Sequence, residues 1–221
     1  MEHMQSTDTI CALSTAPGMG AIAIIRVSGL EAFRIVESIF SKTLSDKQSH
    51  TAHFGKIVDD GIIVDEVLAT LFKNPASFTG EDSVEIACHG SVYIQQSILE
   101  LLLKNGCRMA KPGEFSMRAF MHGKMDLSQT EAIADLIAST SKAQHNVAMN
   151  QMRGGFSNDL KTLRQKLLDF ASLVELELDF SEEDVEFADR SQLELLVSEI
   201  DVALTQLLNS FKIGNVIKNG V

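Results

Sequence analysis

A change of hydrophobic period divides this chain, and it limits the possible folds more than any single motif does. Through residue 110 the apolar residues come in short runs punctuated by glycine, at 10–14, 21–27, 53–58, 62–72, 84–88 and 107–110. Runs of this length between turn residues read as strands. Asp59-Asp60-Gly61 between two of them is a strong hairpin signal. Two helices interrupt the series. One spans 30–40, with Phe33, Val36 and Phe40 at helical spacing and Leu30 behind them. The other follows His89-Gly90, carries Ile94, Ile98, Leu101 and Leu102 on one face, and ends at Asn105-Gly106. About six strands and two helices with a hairpin predict an α+β sheet domain, not a doubly wound one.

Beyond residue 128 the period becomes helical. Ser128 with Glu131 forms a capping-box pattern, and the helix it opens is predicted to run to about Met152, before Gly154-Gly155. Phe156, Leu160, Leu163, Leu167, Phe170 and Val174 then alternate four-three, as do Leu193, Val197, Ile200, Leu204, Leu207 and Phe211. Such seams belong to an antiparallel helical bundle. The acidic run 179–186 lacks the mid-loop glycine of a calcium loop and reads as a solvated helix start. The tail, 213–221, reads as a linker. The expected organisation is a mixed or antiparallel sheet domain at 1–123, a helical domain at 124–214 and a linker at 215–221.

The segment between the two halves, 111–126, is broken by Pro112-Gly113 and by His122-Gly123, with room for two helical turns in 115–121. It brings Glu114, Arg118, Lys124 and Asp126 to a domain junction, where ligand sites concentrate. Arg26 is a guanidinium in an otherwise apolar strand: it either pairs with a structural carboxylate or clamps the carboxylate of a ligand. Strand alternation puts Glu85 on the face of Ser83 and Ala87, opposite Val84 and Ile86. Glu81 and Asp82 suit a solvated loop. His89 has no nucleophile motif nearby and suits a turn or a helix start. Gly18-x-Gly20 precedes a strand and lacks a third glycine, so it is a poor phosphate loop.

Composition excludes several classes. The net charge of −11 argues against this chain gripping tRNA or DNA by itself, since such affinity rests on phosphate neutralisation. No run approaches eighteen uninterrupted apolar residues, so no membrane span is expected. The first five residues carry no basic or apolar region of a secretory signal, and Met4 offers an alternative start. The three cysteines, Cys11, Cys88 and Cys107, have no metal spacing and read as buried free thiols in a reducing cytoplasm. No metal site and no catalytic residue is expected.

Several long motifs, in order, carry a resemblance. They are Asp8-Thr9-Ile10, the run from Pro17 to Gly29, the run from Ser77 to Glu85, and Pro112-Gly113-Glu114-Phe115-Ser116-Met117-Arg118-Ala119-Phe120. Gly123-Lys124-Met125-Asp126-Leu127 and Asp179-Phe180-Ser181-Glu182-Glu183-Asp184 continue it. From Asp8 to Val221 the chain resembles the MnmE (TrmE) family of tRNA-modification GTPases. The resemblance implies a first domain like the tetrahydrofolate-binding fold of aminomethyltransferases, a homodimer through that domain, and folate bound near the dimer interface as 5-formyl- or methylene-tetrahydrofolate. It implies folate contacts at Arg26, Glu85 and Lys124. It implies a cytoplasmic protein that, with the flavoprotein MnmG, installs an aminomethyl-type (carboxymethylaminomethyl) group at carbon 5 of the wobble uridine of certain tRNAs. Met19, Ser91 and His122 stand where the family usually has Arg, Gly and Asn.

No G-x-x-x-x-G-K-[ST] occurs in these 221 residues. The resemblance therefore implies a front half, without the GTPase domain, its K⁺ and Mg²⁺ sites, or the family's C-terminal Cys-x-Gly-Lys motif, and without GTPase activity. The chemistry of a folate site suits the residues. One carboxylate accepts two adjacent N–H groups from the pyrimidine edge of a reduced pterin, a role for Glu85, and the anionic glutamyl tail suits Arg26 or Lys124. Two other readings stay open: a free-standing folate-dependent aminomethyltransferase-like enzyme, and a dimerisation arm in which Arg26, Glu85 and Lys124 serve internal salt bridges.

Overall fold

The computed structural model describes residues 8–179, 191 and 194–206. The chain divides into two compact units, Met1–Met125 and Asp126–Val221. The first holds β1 (Ile10–Leu13), β2 (Ile22–Ser28), α1 (Ala32–Ile39), β3 (Thr51–Asp59), β4 (Ile62–Phe72), β5 (Ser83–His89), α2 (Val92–Lys104), β6 (Arg108–Met109) and α3 (Glu114–Met121). The strands form one sheet in the order β3-β4-β5-β2-β1-β6. Neighbours are antiparallel except β1 and β6, so the sheet is mixed, as expected.

Alternation sorts the strands into two faces. Ile25, Val27, Val67, Leu71, Val84 and Ile86 are buried in one core with Val36, Ile98 and Leu102 of α1 and α2. Each such aliphatic side chain contributes about 1.5–3 kcal/mol on burial, which seats both helices on this face. Arg26 and Glu85 point the other way and stay half-buried. The β3–β4 hairpin turns at Asp60 (φ 46°) and Gly61 (φ 85°), as its sequence predicts. All three cysteines are free and buried, and burial, reinforced by Asp65, pushes the Cys88 thiol up to about 11.

Helix α3 owes its position to ions. Gly113 (φ 76°) turns the chain into it. From its first residue Glu114 takes Arg108 NH2 at 2.6 Å, Arg108 NH1 at 3.0 Å and the Lys111 N–H at 2.7 Å. Arg118, one turn on, donates to Glu114 at 3.2 Å, to Glu81 at 3.1 Å, to Asp8 Oδ1 at 2.6 Å and to the Asp8 carbonyl at 2.8 Å. Ser28 Oγ donates to the other oxygen of Glu81 at 2.8 Å. Glu81 is therefore buried, not a solvated loop residue, because Arg118 and Ser28 replace the water it gives up. Glu114 and Arg118, expected near a ligand at the junction, are buried in the same cluster.

The second unit holds α4 (Leu127–Ala138), α5 (Lys142–Met152) and α6 (Gly155–Asp179), and residues 194–206 are also helical. The single helix expected from 128 to 152 is two. Ser139 Oγ turns back to the Leu136 carbonyl at 2.7 Å, and Ser141 caps α5 by accepting the Gln144 N–H. Short hydroxyl side chains here compete with the helical ladder and win. The N-cap of α4 is Asp126, not Ser128: its carboxylate takes the Gln129 N–H and Gln129 returns a bond to the Asp126 N–H. In the seam of α6, Leu160, Leu167 and Val174 remain 39%, 44% and 37% exposed, so the described helices cover it only in part. The leader 1–5, the cap at Ser181 with its acidic run, the side chain of Phe156, Leu193, Leu207, Phe211 and the tail 213–221 lie outside the described residues.

Burial would raise the Glu114 carboxyl, but the bonds from Arg108, Lys111 and Arg118 outweigh it and hold it at about 2, against an ordinary 4.5. A pKa depressed on folding stabilises fully above the unfolded value and is lost as pH falls toward the folded one. A depression of this size corresponds to on the order of 3 kcal/mol. Glu114→Gln is expected to lower the urea midpoint at pH 7 and to flatten its decline between pH 5 and 3. Equal acid slopes in the two proteins would contradict this role.

Candidate functional site

The open face of the sheet brings two of the three candidate residues into contact. Arg26 of β2 and Glu85 of β5 are cross-strand partners in the sheet register. Arg26 Nε and NH2 both donate to Glu85 Oε1, at 2.9 and 2.7 Å. Their side chains are 25% and 26% exposed, so the pair opens to solvent. Among the described residues, Glu85 Oε2 takes no hydrogen bond and Arg26 NH1 makes none, leaving one acceptor and one donor of the pair unused.

Two aromatic rings flank the guanidinium. The Phe78 ring centroid lies 5.1 Å from Arg26 Cζ and that of Phe115 lies 5.5 Å away. Phe78 comes from the loop between β4 and β5, and Phe115 from the first turn of α3. Neither was singled out by sequence reasoning. Phe78 stood in the run from Ser77 to Glu85 and Phe115 at the start of the two helical turns expected over 115–121, and the available signal was their place beside Gly80 and Gly113. A guanidinium over an aromatic ring gains about 0.5–1 kcal/mol per exposed contact.

Lys124 touches neither Arg26 nor Glu85. Its exposed Nζ donates to the Pro75 carbonyl at 2.9 Å, at the start of the loop that carries Phe78. Here Gly80 has φ +79°, and a Cβ on it would stand 3.3 Å from Lys124 Cγ. The three candidates therefore gather around one loop, two of them in direct contact.

His89 takes a structural place, as its turn position suggests. It ends β5, donating its N–H to Asp65 Oδ2 at 2.8 Å and Nδ1–H to Asp65 Oδ1 at 2.7 Å. Gly90 follows because a Cβ there would lie 2.3 Å from the Gly20 carbonyl oxygen. Gly20 and Gly90 exchange backbone contacts across this approach, so Gly18-x-Gly20 serves packing. Among the described residues no cluster of His, Cys, Asp and Glu could hold a metal ion, and no helix is long and apolar enough to cross a membrane.

An acceptor, a donor and two ring faces on a half-open sheet suit a flat, N–H-rich heterocycle better than they suit bond-breaking chemistry. The family model described as "GTP-binding protein TrmE N-terminus" matches residues 9–124, and the one described as "MnmE helical domain" matches residues 127–221. Curated relatives called "tRNA modification GTPase MnmE" include that of Flavobacterium johnsoniae, 58% identical over 99% of this chain and 48% of the relative. That of Bacteroides fragilis is 61% identical over 97% of this chain and 47% of the relative. That of Cytophaga hutchinsonii is 59% identical over the same shares. The chain spans about half the length of the curated relatives it matches.

If Arg26 and Glu85 support each other as drawn, a double-mutant cycle of Arg26→Met and Glu85→Gln in urea should give a coupling of about 0.5–1 kcal/mol, the range of half-exposed ion pairs. Additive effects would mean that the pair contributes nothing to the fold.

Proposed function

The chain belongs to the MnmE (TrmE) family of tRNA-modification GTPases, and on that premise we propose that its first unit binds a tetrahydrofolate derivative at Arg26, Glu85 and Lys124. The observation that carries this reading is the spare acceptor at Glu85 Oε2 beside a guanidinium that has the Phe78 and Phe115 rings 5.1 and 5.5 Å from its Cζ. Oε2 accepts from the pyrimidine edge of the pterin, and the rings flank it. Lys124, exposed and held by one carbonyl, meets the anionic glutamyl tail. The folate, in its 5-formyl or methylene state, supplies the one-carbon unit when bound; the residues of this chain bind and orient it.

The reading extends to the longer protein. In it a GTPase domain, absent from this sequence by motif, holds GTP with K⁺ and Mg²⁺. With MnmG, that protein installs the carboxymethylaminomethyl-type group at carbon 5 of the tRNA wobble uridine, in the cytoplasm. This acidic chain contributes folate binding and dimerisation, with weak or no binding of tRNA by itself. Relatives of 58–61% identity that share the GTPase name favour this over a free-standing aminomethyltransferase-like enzyme.

Calorimetric titration with 5-formyltetrahydrofolate tests the site. Charged hydrogen bonds contribute about 1.5–3 kcal/mol each, so Glu85→Ala should weaken binding by about tenfold to over a hundredfold, with a small fall in Tm from losing the Arg26 pair. Near wild-type affinity in a destabilised variant would leave Glu85 a purely structural residue.

The dimer has its own support. Phe54, Leu68 and Ile22 stand 56%, 42% and 66% exposed on strands of the first unit, an apolar area that a second copy would cover. Leu68→Glu should convert a dimer to a monomer in sedimentation velocity at micromolar concentration. An unchanged sedimentation coefficient would move the interface elsewhere.

A further inference from the structure

The loop that carries Phe78 is fixed from two sides. At its base, Asp82 Oδ1 accepts the Asn74 N–H at 2.8 Å, Ser77 Oγ donates to the Glu81 carbonyl at 2.5 Å, and Thr79 Oγ1 bonds Ser28 Oγ at 2.7 Å. From the other side the segment after α3 reaches over. His122 Nδ1–H donates to the Thr79 carbonyl at 2.8 Å, and Lys124 donates to the Pro75 carbonyl. Gly80 (φ +79°) makes the approach possible, since even a Cβ would stand 3.0 Å from His122 Cβ.

His122 is itself held in place. It is the C-cap of α3, its N–H donating to the Arg118 carbonyl at 2.9 Å. Gly123 (φ 67°) then turns the chain back so that the Lys124 N–H meets the Ala119 carbonyl at 2.9 Å. The ion cluster that seats Arg118 thereby fixes the height of His122 as well.

We propose that His122 is a positioning residue of the Arg26–Glu85 site, acting through the Thr79 carbonyl to keep the Phe78 ring against the Arg26 guanidinium. The inference rests on the folate reading for its purpose but not for its geometry. Helix α3 then supplies both rings: Phe115 directly, and Phe78 by way of His122. Any side chain at 122 with a donor of similar reach performs this task. The amide N–H of asparagine is one, so the contact asks for a donor and not for an imidazole.

Nuclear magnetic resonance of the Arg26 Nε–H proton reads the ring positions without ligand, because two facing rings shift it upfield. His122 lies at the surface, so its substitution opens no core. In His122→Ala the Arg26 signal should move downfield, in the direction set by the control Phe78→Leu, while Tm changes little. Affinity for 5-formyltetrahydrofolate should fall about fivefold to tenfold, the equivalent of one hydrogen bond. His122→Asn should restore both. An Arg26 signal unmoved in His122→Ala, or a moved signal that His122→Asn fails to restore, would overturn the proposal. Absence of folate binding by the unsubstituted protein would sink the folate reading alone, and the Arg26 signal would still decide whether His122 sets the ring.

Discussion

Two arginines and three carboxylates hold helix α3 to the sheet, and the arrangement of the open face depends on that cluster. Arg118, Glu81 and Glu114 are 4%, 8% and 2% exposed, so their charges have left water almost entirely. Desolvation of this kind costs several kcal/mol per ion and is repaid only when every donor and acceptor is matched. Here it is: among the described residues no buried side-chain nitrogen or oxygen lacks a partner. Removing one member of such a set leaves an uncompensated charge and costs about 3–5 kcal/mol. An apolar helix face tolerates sliding by a fraction of a turn. A five-membered ionic cluster with fixed bond directions does not, which gives α3 one seat.

That seat determines the neighbourhood of Arg26. The sheet register makes Arg26 and Glu85 partners whatever α3 does. The rings around them come from α3 and from the loop its C-terminal end grips. Phe115 stands in the first turn of the helix and His122 caps its last. A ligand entering this face meets an acceptor, a donor and flat apolar walls that are already ordered, so less conformational freedom is lost on binding. The outer layer, with Lys124 exposed and held by one carbonyl, is the part left free to adapt.

Local periodicity carried the fold a long way. Apolar runs of strand length, the Asp59-Asp60-Gly61 turn and the helical spacing in α1 and α2 are each readable within about ten residues, and the structure has them. Alternation also put Glu85 on the face away from the core. What alternation does not carry is register, so the direct Arg26–Glu85 bond stood only as one of two open possibilities. Burial of Glu81 was missed because its partner Arg118 lies 37 residues away, and the pairing of Asp8 with Arg118 spans 110. A carboxylate beside glycine looks solvated until its guanidinium is known. The break between α4 and α5 was missed for a different reason: the helical pattern was read across Ser139-Thr140-Ser141, although three consecutive hydroxyl residues were a visible warning. Phe78 and Phe115 were passed over because which ring faces which cation is a tertiary fact.

The proposed folate site stands on the spare oxygen of Glu85 and on the Phe78 and Phe115 rings beside Arg26. A crystal structure of the protein grown with 5-formyltetrahydrofolate tests it most directly. Pterin N–H groups are expected within about 3 Å of Glu85, with the ring system bordered by Phe78 and Phe115 and the glutamyl tail toward Lys124. Folate bound elsewhere, with Arg26 and Glu85 untouched by it, would rule this site out.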